Sequence, residues 1–357
     1  MKQYRVIGIM SGTSLDGVDL CYAEFYSEAG GWKYRNVAAQ TFRYSDEWKS
    51  RLMNLNSQGA ETLARTHVEY GHYLGQLVND FCSDRNLVVD LISSHGHTIF
   101  HQPENHFTTQ IGDGASIYAI TGVRTVSDLR NVDVALGGQG APLVPIGERD
   151  LFDGFGMFLN LGGIANVSIF SAENQPAAFD ISPCNMSLNM LCEKYLGTAY
   201  DEGGLRASMG EINPSLLDSV SALEYFKATA PKSLGKEFTD RLYLPIIERY
   251  DISIEDKLHT ITQHIANEIC RAINHNAPYC RQGRVLVSGG GAYNTFLMEL
   301  LNQQCELELV VPEEFIVEFK EALIFAYLGL LRTTGAANSL ASVTFARKDN
   351  IGGALWG

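Results

Sequence analysis

Residues 8 to 19 read Gly-Ile-Met-Ser-Gly-Thr-Ser-Leu-Asp-Gly-Val-Asp, set between an apolar run, Tyr4 to Ile9, and a second β-prone run, Leu20 to Tyr26. A short polar turn joining two such runs is a strand-turn-strand hairpin. Gly12 and Gly17 permit positive φ and close backbone approach. Ser11, Thr13 and Ser14 offer hydroxyl and amide donors to an anion, and Asp16 and Asp19 can orient a hydrated cation. The same residues also suit an ordinary polar turn in which Ser, Thr, Asp and Gly serve only geometry. A P-loop is excluded, because it needs a Lys and a following helix, whereas this segment has no Lys and leads into a strand.

A hairpin that grips a phosphate with its metal points to the actin, hexokinase and Hsp70-like class of ATP-using folds. The order of elements agrees. Trp32 to Tyr44 supplies a third strand. Leu63, His67, Tyr70, Leu74, Leu77 and Phe81 then recur at helical spacing, and Leu87 to Ser93 is a short strand. Three strands, a helix and a strand recur after residue 150. Gly156 to Asn160, Val167 to Phe170 and Ala177 to Asp180 are strands, with a Gly-bearing turn at Leu161 to Asn166. Ser187 to Leu196 is a helix stopped by Gly197. Ser253 and Asp256 cap a long helix with its apolar stripe at Leu258, Ile261, Ile265, Ile269 and Ala272. Arg284 to Val287 is a strand, Ala292 to Gln303 and Glu318 to Leu331 are helices, and Gly335 to Gly357 has no helix signal.

The expected fold is therefore α/β, a two-domain actin-like or ribonuclease H-like ATPase with a duplicated βββαβα core and an interdomain nucleotide cleft. Residues 1–150 form the first subdomain. Residues 151–357 form the second, with a C-terminal segment able to pack back on the first. A chain of 357 residues exceeds the size at which single cores split, about 300 residues. A net charge of −14 and no Lys/Arg-rich stretch argue against nucleic-acid and membrane partners. The N-terminus lacks a signal-peptide pattern and no run is long enough to span a bilayer, so a cytoplasmic protein is expected. Seven scattered cysteines without a Cys-x-x-Cys pair fit a reducing compartment and no structural zinc.

Several segments can carry chemistry. Gly162 and Gly163 mark a second phosphate-type hairpin. Gly289, Gly290 and Gly291 lie between a strand and a helix, where glycines let a nucleotide approach; an unliganded strand-helix turn reads the same way. Asp180 ends a strand before a helix, and could serve as a general base or merely cap that helix or bond Ser182. His95, His97 and His101 follow a strand without a convergent carboxylate, which favours turn polarity or a substrate hydrogen bond over a metal site. Asp113, Asp128-Leu129-Arg130 and Gly137 to Pro142, with Gln139 among them, are polar loops that suit a substrate pocket or no pocket.

Taken together, these segments resemble the anhydro-N-acetylmuramic acid kinase family from Val6 to about Gly352. The residues that carry the likeness are Gly8 to Asp19, Ser94-His95-Gly96-His97-Thr98, Gln110 to Asp113, Gly137 to Pro145, Asn160 to Asn166 and Phe179-Asp180. Pro231-Lys232-Ser233 with Gly235, Lys236 and Glu237, then Ser288 to Asn294 and Lys320-Glu321-Ala322, complete it. The resemblance implies a phosphotransferase with an alcohol acceptor. It would use ATP and water to open the 1,6-anhydro ring of anhydro-N-acetylmuramic acid and phosphorylate O6, giving N-acetylmuramic acid 6-phosphate and ADP in peptidoglycan recycling. It implies Asp180 as the base that activates water. Ser11, Gly12, Thr13, Ser14, Leu15, Asp16, Gly17 and Val18, with Gly162 and Gly163, would bind the ATP phosphates. Gly289 to Gly291 would meet the adenosine, and Glu321, His97 and Gln139 the amino sugar. Mg2+ would be held through the phosphates, with Asp16 as its candidate protein ligand, and a homodimer is compatible with the sequence.

The chain departs from the family's usual Phe-Asp-Thr-Gly-Pro-Gly-Asn, reading Phe179-Asp180-Ile181-Ser182-Pro183-Cys184-Asn185, so reduced backbone freedom is expected beside Asp180. His97 stands where Gln is usual, and Leu234 where Thr is usual. The rival readings are a kinase of another amino sugar or polyol, a slow ATPase that acts as a nucleotide-dependent interaction protein, and a catalytically silent paralogue.

Overall fold

The computed structural model describes residues 2–12, 15–28, 31–171, 176–230, 232–280 and 282–357. Thr13, Ser14 and Pro231 lie outside the described residues. By its internal contacts the chain forms two units, residues 1–153 with 319–357, and residues 154–318.

In the first unit, β1 (Gln3–Ser11) and β2 (Gly17–Glu28) form the expected hairpin, with Met10 opposite Asp19, and β3 (Gly31–Arg43) pairs antiparallel with β2. β4 (Leu91–Gln102) runs parallel to β1 on its other side. β5 (Phe107–Ile111) folds back antiparallel on β4, and β6 (Thr125–Ser127) is parallel to it. Val6, Ile7 and Ile9 are fully buried, as a central strand covered on both faces requires. Gly8 sits among them because a Cβ there would fall on the main-chain oxygen of Ala322, in the helix Glu314–Thr334. That helix is apolar and buried almost all round from Ala322 to Leu331.

The second unit has the same plan. β7 (Met157–Leu161), β8 (Ile164–Ile169) and β9 (Ala177–Pro183) form an antiparallel meander; β10 (Arg284–Ser288) lies parallel to β7, and β11 (Glu308–Val310) parallel to β10. The order β3-β2-β1-β4-β6 of one sheet repeats as β9-β8-β7-β10-β11 in the other, which is the duplicated core expected. The helix Ile254–Asn276 begins at Ser253, whose side chain accepts from Asp256 N. Its buried stripe, Leu258, Ile261, Ile265 and Ile269, packs into this unit's core.

Four local expectations need correction. Residues 94–98 are strand, not turn, since β1 and β5 supply the backbone partners that a Ser/His/Gly run does not advertise. β9 continues three residues past Asp180. Residues 290–293 form a 3-10 turn, and the helix begins at Thr295 with Asn294 accepting from Leu297 N. Finally, the glycine-bearing tail contains β12 (Ala354–Trp356), antiparallel to β6, a strand created by tertiary pairing alone.

Candidate active site

In the first unit, Ser11 ends β1 at the root of the polar turn. Its hydroxyl is buried and bonded to Tyr44 OH at 2.6 Å, Tyr70 OH at 2.8 Å and His97 Nδ1 at 3.0 Å. The hydroxyl therefore anchors the turn, and only the main chain at Ser11 remains for an anion. Gly12 accepts from Leu15 N at 3.5 Å, Leu15 takes φ 61°, Asp16 is exposed, and Gly17 and Val18 open β2. Asp19 accepts from Thr41 Oγ1 at 2.6 Å.

Burial lowers the His97 pKa to about 4, so its ring is neutral at neutral pH. His95 is buried too, and its pKa is held well below the usual value, first by burial and then by Arg130. Its Nδ1 bonds Gly96 O at 2.8 Å while Arg130 donates to Nε2 from Nε at 3.0 Å and from a terminal nitrogen at 2.8 Å. With that lone pair facing a guanidinium, His95 is no metal ligand, and its role is to orient Arg130. His101 lies on the same strand and bonds Thr108.

Arg130 also donates to Gly140 O at 2.6 Å. The glycine loop it touches is held from below by Asp133, whose Oδ2 accepts from Gly140 N. Its Oδ1 accepts from Ser339, Thr344 and Asn350, each at 2.8 Å. Gln139 is exposed on this loop and fixed by its N–H to Thr344 O. Burial raises the Glu321 pKa; Lys320 and Arg130 oppose the rise while Glu148 and Asp19 add to it. Arg130 itself is pushed down to about 10 by burial and remains a cation at neutral pH. The first unit thus gathers Asp19, Arg130 and Glu321 electrostatically, with His95 behind the guanidinium. Sequence reading missed the Asp133 hub, because the three side chains on its Oδ1 lie more than 200 residues away.

In the second unit, Gly162 O accepts from Asn185 N at 3.2 Å, and Gly163 O from Cys184 N at 2.9 Å and Met186 N at 3.1 Å. The turn is stitched by its carbonyls to the start of the helix Asn185–Leu196, and Gly163 is exposed. Asn185 Nδ2 donates to Leu161 O at 2.9 Å. Gly289 has φ 83°, and a Cβ there would meet Asn160 Oδ1 at 2.5 Å, so only glycine fits. Gly291 lies against Leu161 and the Asn185 side chain, and Gly290 is exposed. The two glycine segments of this unit are thereby joined through Asn160, Leu161 and Asn185.

Asp180 pairs with Asn166 across β8 and β9. Its Oδ2 accepts from Leu234 N at 2.8 Å, while Cys184 occupies the helix N-cap, so the capping reading of Asp180 is excluded. Burial raises its pKa and the Leu234 amide opposes the rise. The departures beside it point away: Ile181 and Cys184 lie in the core, and Ser182 is fully buried with its hydroxyl on Pro183 O. Cys184 has φ −122°, outside the left-handed region that favours glycine.

Among the described residues, no group of three or more His, Cys, Asp or Glu could by itself hold a metal ion. No described helix is long and apolar enough to cross a membrane.

Residues 4–357 match the family model described as anhydro-N-acetylmuramic acid kinase. A relative of that name from Vibrio cholerae is 34% identical over 360 residues, covering 96% of this chain and 95% of the relative. One from Hydrogenovibrio crunogenus is 34% identical over 367 residues, covering 98% and 97%. One from Haemophilus influenzae is 32% identical over 383 residues, covering 100% and 98%.

Proposed function

The chain belongs to the anhydro-N-acetylmuramic acid kinase family, and from that premise we propose the reaction and the residues that perform it. The protein is an ATP-dependent kinase, a phosphotransferase with an alcohol acceptor. It opens the 1,6-anhydro bridge of anhydro-N-acetylmuramic acid with water and phosphorylates O6. The products are N-acetylmuramic acid 6-phosphate and ADP, in the recycling of peptidoglycan amino sugars.

Asp180 is the base. It takes a proton from the water that attacks the anomeric carbon; the bond from that carbon to the bridging oxygen breaks, and that oxygen, as O6, accepts the γ-phosphoryl group. The observation that carries this role is a half-buried carboxylate with one oxygen fixed by Leu234 N. A raised pKa suits it, since a base works best when its affinity for protons approaches the working pH.

In the first unit, the main chain from Ser11 to Val18 binds phosphate oxygens, with Thr13 and Ser14 as hydroxyl donors. His97, Gln139 and Glu321 contact the sugar. In the second unit, Gly162 and Gly163 serve phosphate and Gly289 to Gly291 the adenosine. The exposed carboxylate of Asp16 fits a hydrated Mg2+, which when bound supplies positive charge for the phosphoryl oxygens. A cytoplasmic location completes the proposal.

The test is ADP release against anhydro-N-acetylmuramic acid, free N-acetylmuramic acid and N-acetylglucosamine, with an Asp180→Asn variant alongside. Turnover with the anhydro sugar, lost by at least about a thousandfold in the variant, is expected. Turnover with free sugars alone would overturn the substrate, and an unaffected variant would remove Asp180 from the reaction.

A further inference from the structure

β9 is the edge strand of its sheet, so the outward main-chain groups of Asp180 need partners from outside the ladder. One short stretch supplies them. Asp180 N donates to Lys232 O at 3.2 Å, and Asp180 O accepts from Tyr225 OH at 2.7 Å. Leu234 N reaches the carboxylate at Oδ2. Tyr225 and Lys232 are tied to each other: Lys232 Nζ donates to Tyr225 O at 3.1 Å and lies 4.5 Å from the centre of the Tyr225 ring. The ring is wedged against Phe226 and Phe238. Among the described residues none donates to Oδ1.

We propose that Lys232 to Leu234, locked by Tyr225, form a positioning strap for Asp180, which fixes its peptide and Oδ2 and leaves Oδ1 as the oxygen that receives the proton. The inference rests on Asp180 being the base. It also assigns work to a motif, Pro231 to Glu237, that sequence reading matched to the family without a role. Leu234 in place of the usual Thr is harmless in this scheme, because the strap acts through the main-chain N–H that every residue except proline carries. The titratable groups around Asp180 are Tyr225 and Lys232, with Arg271 behind Lys232, and His264 on the helix packed against this region.

A hydrogen bond to the ionised form favours that form, so removing the strap's N–H makes Asp180 harder to ionise. Leu234→Pro is expected to lower kcat and move the acidic limb of the kcat/KM profile up by about one pH unit, with the ATP KM unchanged. Leu234→Ala, which keeps the N–H, should match the wild type. Tyr225→Phe loosens the lock without touching the carboxylate, and should shift the limb in the same direction by less. It carries the test if the proline variant does not fold.

The resting protein gives an independent readout: the 13C shift of the Asp180 carboxyl, assigned by its absence in Asp180→Asn, should titrate higher in Leu234→Pro than in Leu234→Ala. A wild type that fails to turn over the anhydro sugar while this titration moves would sink the reaction and leave the strap standing. An unmoved titration in both Leu234→Pro and Tyr225→Phe, or equal effects of proline and alanine, would overturn the strap.

Discussion

At Asp180, burial raises the carboxyl pKa and a single amide holds it back. A base must be ionised, so kcat/KM should fall as pH drops through that raised value, and its acidic limb should lie above the range of a solvated aspartate. The same shift has a stability sign. A carboxyl whose folded pKa exceeds its unfolded one contributes stability below the unfolded value and loses it as pH rises through the folded one. At neutral pH the ionised side chain thus weakens the fold, and Asp180→Asn should melt at or above the wild-type temperature in calorimetry at pH 7; a fall of several degrees would contradict this. Cys184, three residues before the buried Ser187, offers a contrast. Because its side chain is fully buried in the core, Cys184→Gly should lose about 1–2 kcal/mol in urea unfolding, with kcat unchanged.

Among elements, the pairing of β1 with the helix Glu314–Thr334 is the tightest approach near the proposed phosphate turn. Gly8 lies where the Ala322 carbonyl oxygen presses on the strand, and Ala326 N would be 2.6 Å from a Cβ. Both neighbours are backbone, so neither can rotate aside. Gly8→Ala should therefore cost about 3 kcal/mol or more, measured as a lowered urea midpoint, whereas a substitution answered by a side chain would cost less. The same packing sets the place of Glu321, one residue before Ala322. A shifted helix would move the proposed sugar contact together with the strand that leads into the turn.

At the scale of the molecule, the first unit is closed by chain that returns from its far end. Lys320 and Glu148 form a buried ion pair at 2.6 Å, across 172 positions of sequence, and the Glu148 Oε2 has no hydrogen-bond partner among the described residues. Removing the cation leaves a buried carboxylate without its counter-charge, so Lys320→Met should destabilise by about 3–5 kcal/mol. Adding Glu148→Leu should recover most of that loss. Equilibrium unfolding of the three variants and the wild type checks both statements, and an additive double variant would contradict them.

Local pattern was enough for the hairpin at Gly8 to Asp19, the duplicated strand order, and the Ser253 cap, because each depends on neighbours within a few residues. Asp180 stood out as a candidate at a strand before a helix, open between base and cap, and the family's motifs marked it, Glu321 and the glycine segments as candidates. Tertiary structure alone decided the rest. It made 94–98 a strand, buried the Ser11 hydroxyl among two tyrosines, turned His95 into a support for Arg130, and placed Leu234 N on the Asp180 carboxylate. It also hung the Gly137 to Pro142 loop on Asp133 and added β12 to the first sheet. Most of these are hydrogen bonds between residues tens to hundreds of positions apart, and burial that shifts a pKa comes from the same distant chain. Periodicity and propensity describe a residue's neighbours in sequence, and neither carries information about which far segment will satisfy a donor or exclude water from a charge.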